Sequence, residues 1–355
     1  MTSRDTPNEL APIALFAYRR PDHLAKTLAA LRANPKARDS ILYVFSDAPK
    51  DVRSEKGVQQ VRALLQRVEG FAKIALVLHS CKLGLARNIT EGVSAVLDMH
   101  DAVIVVEDDL VVSPFFLRYM NAALACYQNE GRVGSISGFS YPVAAPETYF
   151  IRGADCWGWA TWRDRWHHYN PDGSTLLAQL NERGLADAFD LEGAMAYTDM
   201  LKDQVAGRND SWAVRWHASC FLRDLLILYP GRTLVQNIGN DGSGTHATTI
   251  DDSFTSDLSS DPVTLQRIPI MEDVMARQAI RQFFLSRRLR QENARLLEEI
   301  ADLNMRMAEE VARRTTEADQ LREANTQLSG KVMAIERSFS RRLTSPLRRL
   351  FGLMR

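Results

Sequence analysis

Cysteine is scarce in this 355-residue chain: Cys81, Cys126, Cys156 and Cys220 are widely scattered, and no two of them form a C-x-x-C pair. That argues against a zinc knuckle or a disulfide framework and favours a reducing, cytoplasmic setting. An excess of charge of either sign is also missing. Lys plus Arg and Asp plus Glu both number 44, so the formal charge is zero and no whole-protein field draws the chain to nucleic acid. No apolar run approaches the roughly 20 residues needed to span a bilayer. The opening MTSRDTPNEL is polar and has no signal-peptide core. What remains, 45% hydrophobic and 25% charged residues, is the composition of an ordinary globular protein.

The first part alternates between two periodicities. PIALFAY, ILYVFSD, KIALVLH and AVIVVED are short apolar runs suited to buried strands. Between them lie helical patterns: Leu24, Leu28 and Leu31 after Pro21, then Val58, Val61, Leu64 and Leu65, then Ile89, Val93 and Val96 or Leu97. A further helix, PFFLRYMNAALACYQ, follows the fourth strand. The expected fold is therefore α/β, a mostly parallel Rossmann-like sheet flanked by helices. Ligands in such sheets bind beyond the carboxyl ends of the strands, which puts Asp47, the segment after His79 and the acids after AVIVV on one rim.

The C-terminal part changes character. Leu289, Leu296 and Leu303 recur every seven residues with Asn293, Ile300 and Met307. Leu321, Leu328 and Ile335 form a second series with Ala318, Asn325 and Val332, offset by a four-residue stutter across Val311. Asparagine at a-type positions favours a parallel dimer, so a homodimeric coiled coil is expected over 286–338, the alternative being a long solvated helix packed on its own domain. The chain divides into a disordered N-terminus (1–10), a catalytic-type α/β domain (11–255), a linker (256–285), the coiled coil and a tail (339–355). Five arginines among Leu343, Leu347, Leu350, Phe351 and Leu353 suit that tail to peripheral contact with an anionic membrane, or to a solvated basic end.

Several motifs carry chemistry. Glu107, Asp108 and Asp109 follow an apolar strand, and clustered carboxylates there suit Mg²⁺ or Mn²⁺ bridging to a diphosphate; a helix cap is the plainer reading. Asp47 in YVFSDAP can accept a hydrogen bond from a base or ribose, or simply form a turn before Pro49. Gly84, Arg87 and Asn88 stand at a loop-to-helix junction fit for phosphate, although Arg87 equally suits a surface ion pair. CWGWATWRDRW brings Trp157, Trp159, Trp162 and Trp166 together, either as core or with a ring such as Trp159 against the donor. Asp210 in NDSWAVRW is a helix cap or a general base. NIGNDGSGTHAT superficially fits a dinucleotide fingerprint, but no βαβ unit follows; a loop over phosphates with His246 as ligand or donor fits better.

In this order FAYRRPDHL, SDAP, LGLARNI, VVEDDL, WGWATWRDRW, DSWAVRW and NIGNDGSGTH resemble bacterial GT-A-fold glycosyltransferases, over about residues 10 to 250. These are similar to the animal N-acetylglucosaminyltransferases that initiate complex N-glycans. The resemblance implies that Asp109 binds the metal and that Glu107 and Asp108 meet the donor's ribose or sugar. It implies further that Asp47 reads the base, that Arg19 or Arg20 meets the nucleotide, and that Asp210 is the base of an inverting reaction. The eukaryotic relatives have consecutive acids before the tryptophan, whereas here Ser211 follows Asp210. The expected activity is metal-dependent sugar transfer from a nucleotide sugar, UDP-linked by preference, to a hydroxyl of a glycan or other acceptor. A nucleotidyltransferase and a non-catalytic glycan-binding scaffold are the alternatives; the first would carry a glycine-rich signature near its first strand, which FAYRRPDH lacks.

Overall fold

Pro21 opens the first helix and Leu24, Leu28 and Leu31 bury one stripe of it, so the chain can fold back against its first strand. A computed structural model describes residues 10–239, 241, 254 and 257–352, with side chains to residue 342. In chain order the parallel half comprises β1 (Ile13–Ala17), α1 (Pro21–Arg32), β2 (Ile41–Ser46), α2 (Val52–Leu65), β3 (Lys73–Leu78), α3 (Leu85–Met99) and β4 (Ala102–Glu107). Then follow β5 (Leu110–Val112), α4 (Phe116–Tyr127), β6 (Val133–Ser137), β7 (Thr148–Arg152), β8 (Trp159–Trp162) and α5 (Arg163–Trp166). The helices α6 (Gly173–Glu182), α7 (Ala186–Phe189), α8 (Tyr197–Val205) and α9 (Trp212–Leu222) precede β9 (Leu226–Pro230) and β10 (Val235–Asn237). A single long helix, α10 (Val274–Gly352), ends the described chain.

Eight strands form one sheet in the order β3-β2-β1-β4-β8-β6-β9-β7, and β10 pairs antiparallel with β5 in a small second sheet. Strands β3, β2, β1 and β4 run parallel, β8 is antiparallel to both its neighbours, and β6 and β9 are again parallel. The α/β class expected from the sequence is borne out. Alternation within the strands divides the core in two: Leu15, Ile104 and Val106 face one helical layer, while Phe16, Val103 and Val105 face the other. The third apolar run behaves differently. As edge strand, β3 leaves Leu76, Val77 and Leu78 partly in solvent, because no strand or helix covers its outer side among the described residues.

Two compact units emerge, Met1–Arg287 and Arg288–Arg355. The stretch expected as a linker, 256–285, falls within the first of these units. Over its described part this stretch packs on the globular unit: Val263 joins one core face, and Ala276, Ile280 and Phe284 of α10 join the other. In the second unit the helix continues from Arg288 with nearly every side chain to residue 342 exposed. No helix among the described residues is long and apolar enough to cross a membrane. The N-terminal tail expected over 1–10 lies outside the described residues save Leu10.

Within the α6–α9 layer, His217 of α9 is buried between the rings of Phe189 and Tyr197, at centroid distances of 4.7 and 4.6 Å. Its Nδ1 accepts the Ala154 N–H at 2.8 Å. Burial pushes its pKa down from 6.5 to about 4. Since the folded value is depressed, protons favour the unfolded chain, so stability is complete above pH 6.5 and falls as pH drops toward 4. Urea denaturation at pH 7 and pH 4.5 should differ by about 2 to 3 kcal/mol from this group alone. In His217→Gln that part of the slope should vanish.

Candidate functional site

The carboxyl ends of β1, β2 and β4 open into a cleft of about 730 Å³, at the switch point where β1 separates β2 from β4. Local turns deliver its side chains. After β4, Asp108 and Asp109 form a two-residue turn that returns the chain into β5, so they cap no helix. Asp108 accepts the Tyr18 N–H at 3.0 Å and Arg20 Nη2 at 3.2 Å, and its carbonyl accepts the Thr27 hydroxyl at 2.8 Å. Arg20 Nη2 also reaches Asp109 Oδ2 at 2.5 Å. Of the two expected arginines, Arg20 thus binds the acids, while Arg19 is exposed on the rim with its guanidinium 5.9 Å from the Tyr18 ring centre.

Three successive acids with one guanidinium between them leave negative charge uncompensated. Burial first, then the charges of Asp109 and Asp108, raises Glu107 well above the ordinary carboxylate range. Burial and then Asp109 push Asp108 up to about 6. Arg20 Nη1 is buried with no hydrogen-bond partner. These hard oxygens suit Mg²⁺ or Mn²⁺, yet no three His, Cys, Asp or Glu side chains converge as a ligand set among the described residues. The arrangement fits a cation held through one or two carboxylates and otherwise by oxygens from outside the protein, not one caged by protein alone. Gly239 lies against Asp109: a Cβ there would stand 2.2 Å from Asp109 Oδ2.

Opposite these acids, Asp47 is committed to the chain itself. Its Oδ1 accepts the N–H groups of Ala48 and Leu83 at 2.8 and 2.9 Å, and its Oδ2 accepts Lys82 Nζ at 2.6 Å and the Gly84 N–H at 3.0 Å. Burial alone raises a carboxyl, but the Lys82 and Leu83 hydrogen bonds hold Asp47 below its usual range. Asp47 therefore shapes the loop that starts α3, and Lys82 must move before the carboxylate can accept a ligand donor. Gly84, at φ 87°, is the N-cap of α3 and places no side chain over its first N–H groups. Asn88 lines the cleft with its Oδ1 3.0 Å from His79 Nε2.

Asp210 enters from the loop before α9. Ser211 is the cap of that helix, its Oγ accepting the Val214 N–H at 3.3 Å, so the capping role weighed for Asp210 falls to its neighbour. Asp210 is largely exposed at the cleft wall, and its Oδ1 accepts Arg215 Nη2 at 2.9 Å.

Two expected residues lie elsewhere. Trp159 does not meet the cleft: it is fully buried in β8 and stacks on Trp212 at 5.4 Å. Arg87 turns outward from α3 into an ion pair with Glu91 at 2.6 Å, the surface pairing its position also allowed. His246 and the loop around it lie outside the described residues. In their place the cleft contains Trp157, Tyr18, Lys50 and Lys82, the last with Nζ 3.4 Å from the Tyr18 ring centre. Trp157 and Tyr18 stood in motifs already quoted, whereas Lys50 and Lys82 sit in turns where no periodicity marks them. Trp159→Ala should cost about 3–5 kcal/mol in urea unfolding, whereas Trp157→Ala, a change in the cleft lining, should leave most of the stability intact.

No protein-family model matches the chain, and no curated protein matches it. Among solved structures it is similar to S. aureus TarS at 14% identity and a TM-score of 0.27, over 39% of this chain and 24% of that one. It is also similar to a UDP-glucose pyrophosphorylase complexed with UDP-glucose, at 11% identity and a TM-score of 0.32, over 62% of this chain and 90% of that one. The chain thus spans 24% of the TarS chain's length.

Proposed function

We propose that this protein is an inverting, metal-dependent glycosyltransferase that moves a sugar from a nucleotide-sugar donor, UDP-linked by preference, to a hydroxyl of a glycan or other acceptor. One observation carries the reading. A single strand-end cleft gathers Arg20, Asp47, the uncapped start of α3, the Glu107–Asp109 cluster and, from a distant loop, the separately held carboxylate of Asp210. Acids for a cation, donors for phosphate and a remote base are the parts that nucleotide-sugar chemistry requires.

In this reading the first N–H groups of α3, with Lys82, face the donor's phosphates. Asp109, with Asp108 beside it, would hold Mn²⁺ or Mg²⁺, which when bound offsets charge on the departing nucleoside diphosphate. The unpartnered Nη1 of Arg20 supplies a further donor at the same place. Asp210 takes the proton of the acceptor hydroxyl while its oxygen attacks the anomeric carbon from the face opposite the nucleotide, so the configuration inverts. Trp157 covers part of the cleft and limits the water that would otherwise hydrolyse the donor.

Thermal unfolding with a panel of nucleotide sugars, each with and without Mn²⁺, tests the proposal. A donor at 100 times its dissociation constant should add about 2.7 kcal/mol of stability, and only in company with the cation. Pyrophosphate release from a nucleoside triphosphate would identify a nucleotidyltransferase instead, and tight nucleotide binding without donor turnover would identify a non-catalytic binder.

A further inference from the structure

We infer that residues 288–342 bind the same segment of a second copy of this chain as a parallel, in-register, two-stranded coiled coil. An apolar seam along this helix has no partner among the described residues: Leu321 is 71% exposed and Leu328 62%, with Leu296, Ile300, Leu303, Val332 and Ile335 likewise open to solvent. Before the stutter, a positions are Asn293, Ile300 and Met307 and d positions Leu289, Leu296 and Leu303; after it, a positions run Val311, Ala318, Asn325 and Val332, and d positions include Leu321, Leu328 and Ile335. β-branched residues at a with leucine at d favour two parallel strands. Arg314, a charge at a d position, is answered within its own helix by Glu310 at 2.7 Å.

Charges beside the seam indicate the occupant. Glu317 and Lys331 fall at g positions, and Arg322 and Glu336 at the e positions that follow them. In a parallel in-register pair each g residue meets the next e residue of the other chain, so Glu317 faces Arg322 and Lys331 faces Glu336, twice over by symmetry. Glu317, Lys331 and Glu336 make no ion pair within the chain among the described residues, whereas Arg322 reaches Asp319 at 3.1 Å. Charge alone also tolerates an antiparallel pair that sets Glu317 against Lys331. One feature rejects that arrangement. It would bury the Asn325 amide against Leu321, leaving a polar group without a partner, while the parallel pair joins Asn325 to Asn325 and Asn293 to Asn293. Parallel pairing brings both basic C-terminal segments to the same end of the coil.

Sedimentation of the full chain at micromolar concentration should give a dimer. Glu317→Arg should raise the dissociation constant about tenfold, and adding Arg322→Glu to the same chain should restore it. With exposed Cys81 replaced by serine, Leu296→Cys should form an interchain disulfide under mild oxidation. A monomer, a trimer or larger assembly, a charge swap that fails to rescue, or no cross-link at 296 would each overturn the inference.

Discussion

Asp210→Asn is expected to lower sugar transfer by about a thousandfold while leaving donor binding and folding unchanged. The separation of these effects follows from the local structure. Ser211, not Asp210, caps α9, so losing the charge at 210 frees no helix N–H. Arg215 stays in place, since its Nε reaches the Ser211 carbonyl at 3.0 Å and its Nη1 the Pro171 carbonyl at 3.2 Å. An asparagine oxygen can still accept from Nη2 but cannot take a proton from the acceptor. Single-turnover transfer and calorimetric titration with the nucleotide, run on the same preparation, read the two effects apart. Transfer at the wild-type rate would remove Asp210 from the chemistry, and a matching loss of nucleotide affinity would make it a binding residue. Ser211→Ala is the complementary control: it should cost about 1 kcal/mol of stability and keep the transfer rate.

The parallel half was legible because β1, β2 and β4 are apolar and largely buried, edge strand β3 is apolar too, and the helices carry one apolar stripe, so periodicity alone located β1 to β4 and α1 to α4. From that order the rim position of Asp47 and the three acids followed, and they do line one cleft. The tryptophans defeated the same logic. In β8, Trp159 and Trp162 point to opposite faces of the sheet and are both core, while Trp157, in the turn just before, faces the cleft. A two-residue shift across a strand boundary separates packing from binding, and no sequence rule fixes that boundary so closely. Arg87 was more readable than its assignment suggested. Ala86, Ile89 and Val93 define the inward face of α3, and Glu91 stands one turn beyond Arg87 on the outward side. The stretch at 256–285 looked like a spacer because its opening is polar, yet Ala276, Ile280 and Phe284 recur every four residues and bury one stripe of α10 on the globular unit, while Val263 stands alone.

Asp109→Ala should remove the divalent-cation dependence of donor binding and bring transfer below detection. Asp109 is the member of the cluster with the fewest commitments to the fold. Asp108 is tied to the Tyr18 N–H, and its carbonyl to Thr27, so it cannot move without disturbing the end of β1. The Asp109 carboxylate has a single partner among the described residues, Arg20, and its backbone carbonyl, which alanine keeps, accepts the Ile238 N–H at 2.8 Å. Arg20 would still hold Asp108 in the variant. Titration with Mn²⁺ in the presence of nucleoside diphosphate should show saturable uptake by the wild type and none by Asp109→Ala, while melting temperature without ligand stays the same or rises as like charges are thinned. Gly239→Ala approaches the same place from the backbone. Its new methyl has no room beside Asp109 Oδ2, so the carboxylate must turn, and Mn²⁺ uptake should weaken although every acid remains. Normal Mn²⁺ uptake in both variants would place the cation on Glu107 or Asp108 and take Asp109 out of the site's chemistry.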